Sequence, residues 1–267
     1  MTVTTITAVA PRRFQMTGPT VPRLVAGLVI LALWEGVVRG FAPDFVATPT
    51  GIVLAFPRVI VSAPFLAALA QTLGAVAEGL AIAIVFGTTI GLAMGRSVLA
   101  DRVLHHYVNA FYAMPMLVVL PLFSLWFGYT GAARLATVVF SAIFSIVVSV
   151  GDGAHSVPHD YLEVAHSFRA GRICTLFEIV LPASLPYFLA GLRIAAGRAL
   201  IGAVVAEFFT AIGGLGYFIL FNSRTFHDNT AFVAVVFLAA FGIGFDLLTS
   251  WATRRFLPWY RRDEAAE

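Results

Sequence analysis

The residues of this chain that could do chemistry are ionisable groups set in apolar surroundings. The stretch "GLRIAAGRALIGAVVAEFF" (191–209) carries Arg193, Arg198 and Glu207 inside one long hydrophobic run. Glu35 and Glu78 sit in two other such runs. A charge at membrane depth is costly, so it is either functional or paired. Arg198 has two readings. In the functional one its cation offers an attractive field to an anion; in the structural one it bonds a carbonyl or carboxylate of another span. Glu207 reads as a structural or gating group. Glu35 and Glu78 read as helix–helix hydrogen-bonding groups. Asp246 lies near the inner end of the last run and reaches the interface.

Several chemistries are excluded. All 17 basic residues are arginine. A phosphate-binding P-loop needs a Gly-Lys-Ser/Thr ending, and Schiff-base catalysis needs a lysine. No Ser/His/Asp arrangement, HExxH or CxxC occurs. His105 and His106 are adjacent, and neighbours on a helix point about 100° apart, which makes them poor co-ligands. His155, His159 and His166 have no cysteine or carboxylate framework around them. The expectation is a chain with no catalytic residues, no metal and no cofactor of its own. The single cysteine, Cys174, cannot form an internal disulfide. "GGLGY" (213–217) follows no strand, so it is not a nucleotide loop. It reads as a turn into a short external helix.

These residues need elements to hold them, and composition says which. Sixty per cent of residues are hydrophobic and 12% are charged, against about 25% charged in soluble domains. The chain reads as all-α, a single polytopic membrane domain over 22–260 with short tails at 1–21 and 261–267. A bilayer-crossing helix needs about 20 apolar residues. Six runs qualify, near 22–39, 66–95, 104–127, 132–151, 185–211 and 231–252. Pro115 and Pro121 predict kinks in the third. Between the first two runs, Pro/Gly punctuation predicts a loop with a short amphipathic helix. Arg12 and Arg13 resemble a twin-arginine export signal, but the apolar run that follows carries Trp34 and Glu35 and no small-residue cleavage site. The reading preferred is an uncleaved first span with a basic flank.

With six spans both termini share one side. Arg12, Arg13, Arg23, Arg96, Arg102, Arg169, Arg172, Arg193, Arg254, Arg255, Arg261 and Arg262 fall on that side; Arg39, Arg58, Arg134 and Arg224 fall on the other. The positive-inside rule makes the termini cytoplasmic. It also makes 152–184 a cytoplasmic loop, in a plasma (inner) membrane protein that touches lipid and no nucleic acid.

That loop is long, and long ordered loops carry function. Ser156 and Pro158 predict a helix start, with Asp160 and Glu163 in its first turn. A bend is predicted near 169–171. After Gly171, the spacing of Ile173, Leu176, Phe177 and Val180 predicts one apolar helix face, and Pro182 is expected to stop that helix. The bland reading is an amphipathic pair lying on the membrane surface without a partner.

The loop resembles the signature of the membrane subunits of ABC importers. That pattern is Glu-Ala-Ala, three residues, Gly, nine residues, Ile, one residue, Leu-Pro. Here Glu163, Val164 and Ala165 are followed in register by Arg169, then Ile179, Leu181 and Pro182. "LPLFSLWFGYTGAARL", "GLRIAAGRALIGAVVAEFF" and "GGLGY" are similar to the nitrate/sulfonate/taurine branch, over about 66–260. The resemblance implies a permease that works as a homodimer. Its partners would be a cytoplasmic ABC ATPase dimer, which binds the ATP, and an extracytoplasmic solute-binding protein. The first short helix of the loop would insert into a groove on the ATPase. The cargo implied is a small oxyanion or organic acid such as a sulfonate, taurine or nitrate, with pyrimidine vitamin precursors carried by near relatives. Two positions depart from the pattern. Val164 replaces an alanine, and Arg169 replaces a glycine that supplies a backbone conformation few residues adopt. Either Gly171 takes over the bend, or the joint is altered. In the fifth span Ala195, Ala199 and Ala203 recur every four residues, a small-residue face that lets another helix approach closely. The resemblance also implies that this span lines the translocation path, with Arg198 facing the path in its functional reading and Glu207 beside it. Two other classes stand against this reading. A self-contained secondary transporter needs midplane coupling carboxylates and an internal repeat, and a membrane-embedded enzyme needs clustered catalytic groups; no convincing repeat and no such cluster is visible.

Overall fold

The computed structural model describes residues 20–43 and 46–257. The arginine pair at 12–13 and the tail at 261–267 lie outside the described residues. Within them every regular element is a helix. In order they are α1 (Thr20–Phe41), α2 (Pro49–Ile60), α3 (Ala63–Arg96), α4 (Val98–Ala113), α5 (Met116–Phe127), α6 (Gly131–His155), α7 (His159–Ser167), α8 (Arg172–Thr175), one turn of π-helix (Leu176–Val180), α9 (Leu181–Thr210), α10 (Leu215–Arg224) and α11 (Asp228–Phe256).

Five of the six predicted apolar runs fall each on one helix. Among the described residues, four helices are long and apolar enough to cross a membrane: α3, α6, the continuous helix 172–210 and α11, with the bent pair α4–α5 a fifth if it is one span. The third run is broken. Residues 114–115 separate α4 from α5, and the two helices meet at 99°. Pro115 precedes α5 and has no N–H for a continuing helix, so the chain turns there instead of kinking. The predicted amphipathic helix is α2, capped by Thr48, whose Oγ1 accepts the Gly51 amide at 3.0 Å. The short helix predicted after GGLGY is α10.

The centre of the bundle is α3, α6 and α9. Small residues bring their axes together. Gly79, Gly87, Gly91 and Gly95 of α3 face Val138, Ile146, Val150 and Ala154 of α6 in rising order, so these helices run parallel. A β-carbon on Gly91 would lie 2.7 Å from the Val147 carbonyl oxygen. Gly202 and Gly191 of α9 face Ser141 and Ser149 of α6 in falling order, so that pair is antiparallel. Ala195, Ala199 and Ala203 are all fully buried in the same core. In a membrane such close approach replaces the hydrophobic effect as the source of helix association. The glycine stripe of α3 obeys the same four-residue spacing as the alanines of α9, and sequence reasoning passed it over.

Candidate functional site

The loop between α6 and α9 is seated on the end of the bundle. Leu162 of α7 packs with Leu176 and Ile179 against Ala154, Val157 and Val180. Ala165 is buried, while Glu163 is exposed beside His159, 3.1 Å from its Nδ1. The opposite side of the loop is open and apolar: Tyr161, Val164 and Phe168 are 60%, 54% and 83% exposed. Exposed apolar side chains of this size on one short helix and its end leave a surface that a partner can cover.

The bend sits at Arg169. Its φ is +54°, the left-handed region. The Arg169 amide donates to the His166 carbonyl at 2.9 Å, and the Ala170 amide donates to the Ala165 carbonyl at 2.9 Å. This pair of bonds is a Schellman helix end with Arg169 at the position usually held by glycine. Gly171 does not take the bend over. Its φ of −67° and ψ of 156° are extended and open to any residue. The unusual conformation therefore stays where the family pattern has its glycine, and an arginine occupies it.

Two loop expectations are corrected. The face predicted from Ile173, Leu176, Phe177 and Val180 is split: Leu176 and Val180 turn inward, while Ile173 and Phe177 are exposed. The π-turn at 176–180 shifts the register and redistributes them. Pro182 does not stop the helix. The chain stays helical from Arg172 to Thr210, and the wider turn just before Pro182 accommodates a residue that cannot donate to it. Leu181 and Pro182 thus open α9 itself, and Ile179 lies in the π-turn.

Arg198 is bonded to another helix, as the structural reading expects, and it also borders open space. Its Nη1 donates to the Tyr112 carbonyl at 3.3 Å, and its guanidinium carbon lies 4.0 Å from the Tyr112 ring centre. Tyr112 belongs to the last turn of α4, where carbonyls lack helical partners and a cation is favoured. Arg198 also lines a cavity of about 460 Å³ between α9 and α11, with Arg193 and Asp246, and a smaller one of about 160 Å³ at the α4–α5 break. Arg193 and Asp246 form an ion pair between α9 and α11.

Glu207 is enclosed. It is fully buried, and its carboxylate accepts the Thr72 hydroxyl at 2.9 Å, the Gly216 amide at 2.8 Å and Arg134 Nη1 at 3.3 Å. Arg134 also donates to the Gly213 carbonyl at 2.7 Å. The Leu215 amide donates to Thr72 Oγ1 at 2.7 Å. Gly214 has φ +155°, and a β-carbon there would lie 2.1 Å from the Glu207 carboxyl carbon. The turn "GGLGY" is thus wrapped around a buried carboxylate that ties α3, α6, α9 and α10 together. Sequence reasoning counted Arg134 only as a flanking charge; its partner is 73 residues away, and no local signal marks it. Glu35 accepts from the Thr50 amide at 3.0 Å and the Thr50 hydroxyl at 2.6 Å, and so joins α1 to α2. Glu78 is exposed on α3.

A protein-family profile described as "Binding-protein-dependent transport system inner membrane component" matches residues 83–262. The chain belongs to this family. It is an inner-membrane component of ABC importers, a multi-pass permease subunit. Among its relatives is the formylaminopyrimidine transport permease protein ThiX of Halalkalibacterium halodurans, 31% identical over 88% of this chain and 94% of that one. A putative aliphatic sulfonates transport permease protein, SsuC of Bacillus subtilis, is 28% identical over 88% of this chain and 86% of its own. The taurine transport system permease protein TauC of Escherichia coli is 26% identical over 87% of each. The fold matches the solved structure titled "Crystal structure of an amino acid ABC transporter with histidines" with a TM-score of 0.59, covering 81% of this permease and all of that chain at 18% identity.

Proposed function

We propose that the permease carries a small oxyanion or organic acid, of the sulfonate, taurine or nitrate type, delivered by a solute-binding protein and driven by a separate ATPase. It works as a homodimer, because one chain supplies one loop of this kind and a dimeric ATPase presents two grooves. The six crossings are α1, α3, the bent pair α4–α5, α6, α9 and α11, and both termini are cytoplasmic. Helix α7 enters the ATPase groove. The observation that carries this is the apolar face of Tyr161, Val164 and Phe168, held outward at a rigid helix end in register with the family signature. Glu163, Ala165, Arg169, Gly171, Ile179, Leu181 and Pro182 make up the joint. The anion reading rests on Arg198, whose cation lines the α9–α11 cavity at mid-helix. Glu207 serves the architecture of the outer end and does not meet the cargo. The relatives named for sulfonate and taurine transport support an oxyanion cargo; the one named for formylaminopyrimidine transport keeps a pyrimidine precursor as the second reading.

The deciding experiment is co-purification of the tagged chain with its candidate ATPase, comparing wild type with Glu163→Ala and Phe168→Ala. Capture by wild type and loss in both variants is the expected result. Equal capture by all three versions, or by none, removes α7 as the joint.

A further inference from the structure

At the α7 end of the bundle a cavity of about 610 Å³ opens between the end of α3, the start of α4, the flank of α7 and the start of α8. Arg96, His166 and Arg172 line it, together with Ser97 and Thr175. No acidic residue is among the residues that line it. Neither Arg96 nor Arg172 has an ion-pair partner among the described residues. Two arginines set around one concavity focus a positive field into it, and the His166 ring beside them can hydrogen-bond. Guanidinium groups bind phosphate in a two-pronged way that few other groups match. Ser97 adds a donor. Its Oγ accepts the Ala100 amide at 3.3 Å, and a hydroxyl that accepts can still donate its own proton.

We propose that this cavity binds a phosphate-class anion, held between Arg96 at the end of α3 and Arg172 at the start of α8. The anion would tie the Arg169 bend to the bundle core, since Arg172 follows that bend and Arg96 belongs to a helix packed closely on α6. A stiffened bend would alter how far α7 moves. That consequence for transport rests on the coupling role proposed above; the binding does not. The same chemistry comes from two sources, a free phosphate compound or the headgroup of an anionic lipid.

The test uses the purified full-length chain in phosphatidylcholine nanodiscs and reads its melting temperature. One arm titrates sodium pyrophosphate at constant ionic strength. The other replaces part of the lipid with phosphatidylglycerol. Wild type is compared with Arg96→Gln, Arg172→Gln and Arg254→Gln, the last lying outside the cavity. A saturating rise in melting temperature with pyrophosphate, lost in the first two variants and kept in Arg254→Gln, supports a site for a soluble anion. The same pattern with phosphatidylglycerol alone supports a headgroup site. Arg96→Lys and Arg172→Lys keep the charge and lose the fork, so they should raise the half-saturating concentration; they carry the test if the glutamine variants do not fold. No rise in either arm, or an equal rise in every variant, overturns the proposal. The readout needs no ATPase, so it fails or succeeds separately from the coupling role of α7.

Discussion

The hydroxyl of Thr72 on α3 donates to the Glu207 carboxylate of α9 at 2.9 Å and accepts the Leu215 amide at 2.7 Å. One small side chain thus joins two long helices and the turn between α9 and α10. Thr72→Val keeps the shape and removes both bonds. A buried polar group left unsatisfied costs about 1–3 kcal/mol, so the variant should unfold at a clearly lower temperature in detergent, while Thr72→Ser stays close to wild type. If Thr72→Val melts with wild type, the buried carboxylate is not the tie described here.

Arg169 and Gly171 predict opposite outcomes for glycine chemistry. Arg169 holds a left-handed φ of +54°, a conformation that costs a side-chain-bearing residue about 1–2 kcal/mol. Arg169→Gly should therefore stabilise the end of α7, read as slower hydrogen exchange at the Ala170 amide. Gly171→Ala should leave exchange unchanged, because its backbone is extended and a β-carbon there meets nothing within 4 Å. Faster exchange in Arg169→Gly would show that the arginine side chain itself holds the bend.

Gly91 and Gly74 lie on the same helix and differ in what surrounds them. A β-carbon at Gly91 would sit 2.7 Å from a backbone oxygen of α6, whereas one at Gly74 meets nothing within 4 Å. Gly91→Ala should cost about 1–3 kcal/mol through overpacking, and Gly74→Ala should stay within about 0.5 kcal/mol of wild type or better. Thermal unfolding of the two purified variants, side by side, checks the α3–α6 contact directly.

Arg198 predicts a split between uptake and folding. Arg198→Lys keeps the charge and gives up the planar contact with Tyr112, which is worth about 0.5–2 kcal/mol. Arg198→Gln removes the charge as well. If the arginine draws an anion, cells carrying Arg198→Gln should lose about tenfold or more of their taurine, alkanesulfonate or nitrate uptake, the equivalent of about 1.4 kcal/mol, while Arg198→Lys keeps much of it. Equal losses in both variants would make the arginine a cap for α4 and nothing more.

Much of this permease is readable along the chain because the governing forces are local. Runs of about 20 apolar residues must be helical in a membrane, where every backbone group has to be satisfied internally. Five of the six predicted runs accordingly fall each on one helix and the third on the bent pair α4–α5, while α2, α7 and α10 follow from caps, prolines and glycines within a turn or two of their ends. The register from Glu163 to Pro182 is likewise contiguous, so the family signature shows in the sequence even though Arg169 breaks its pattern.

What the tertiary structure decided are relations between residues far apart in the chain. Arg134 meets Glu207, Thr72 meets Leu215, and Arg193 meets Asp246 only because α3, α6, α9 and α11 rotate and cross as they do. Hydropathy sets that a helix crosses, but not which way each side chain points once it is packed. The same holds for the bend. A glycine at 171 and an arginine at 169 suggest by propensity that the glycine turns, yet Arg169 takes the left-handed backbone because Ala165 and His166 offer their carbonyls at that point. Two hydrogen bonds that close the end of α7 outweigh the conformational preference of a single residue.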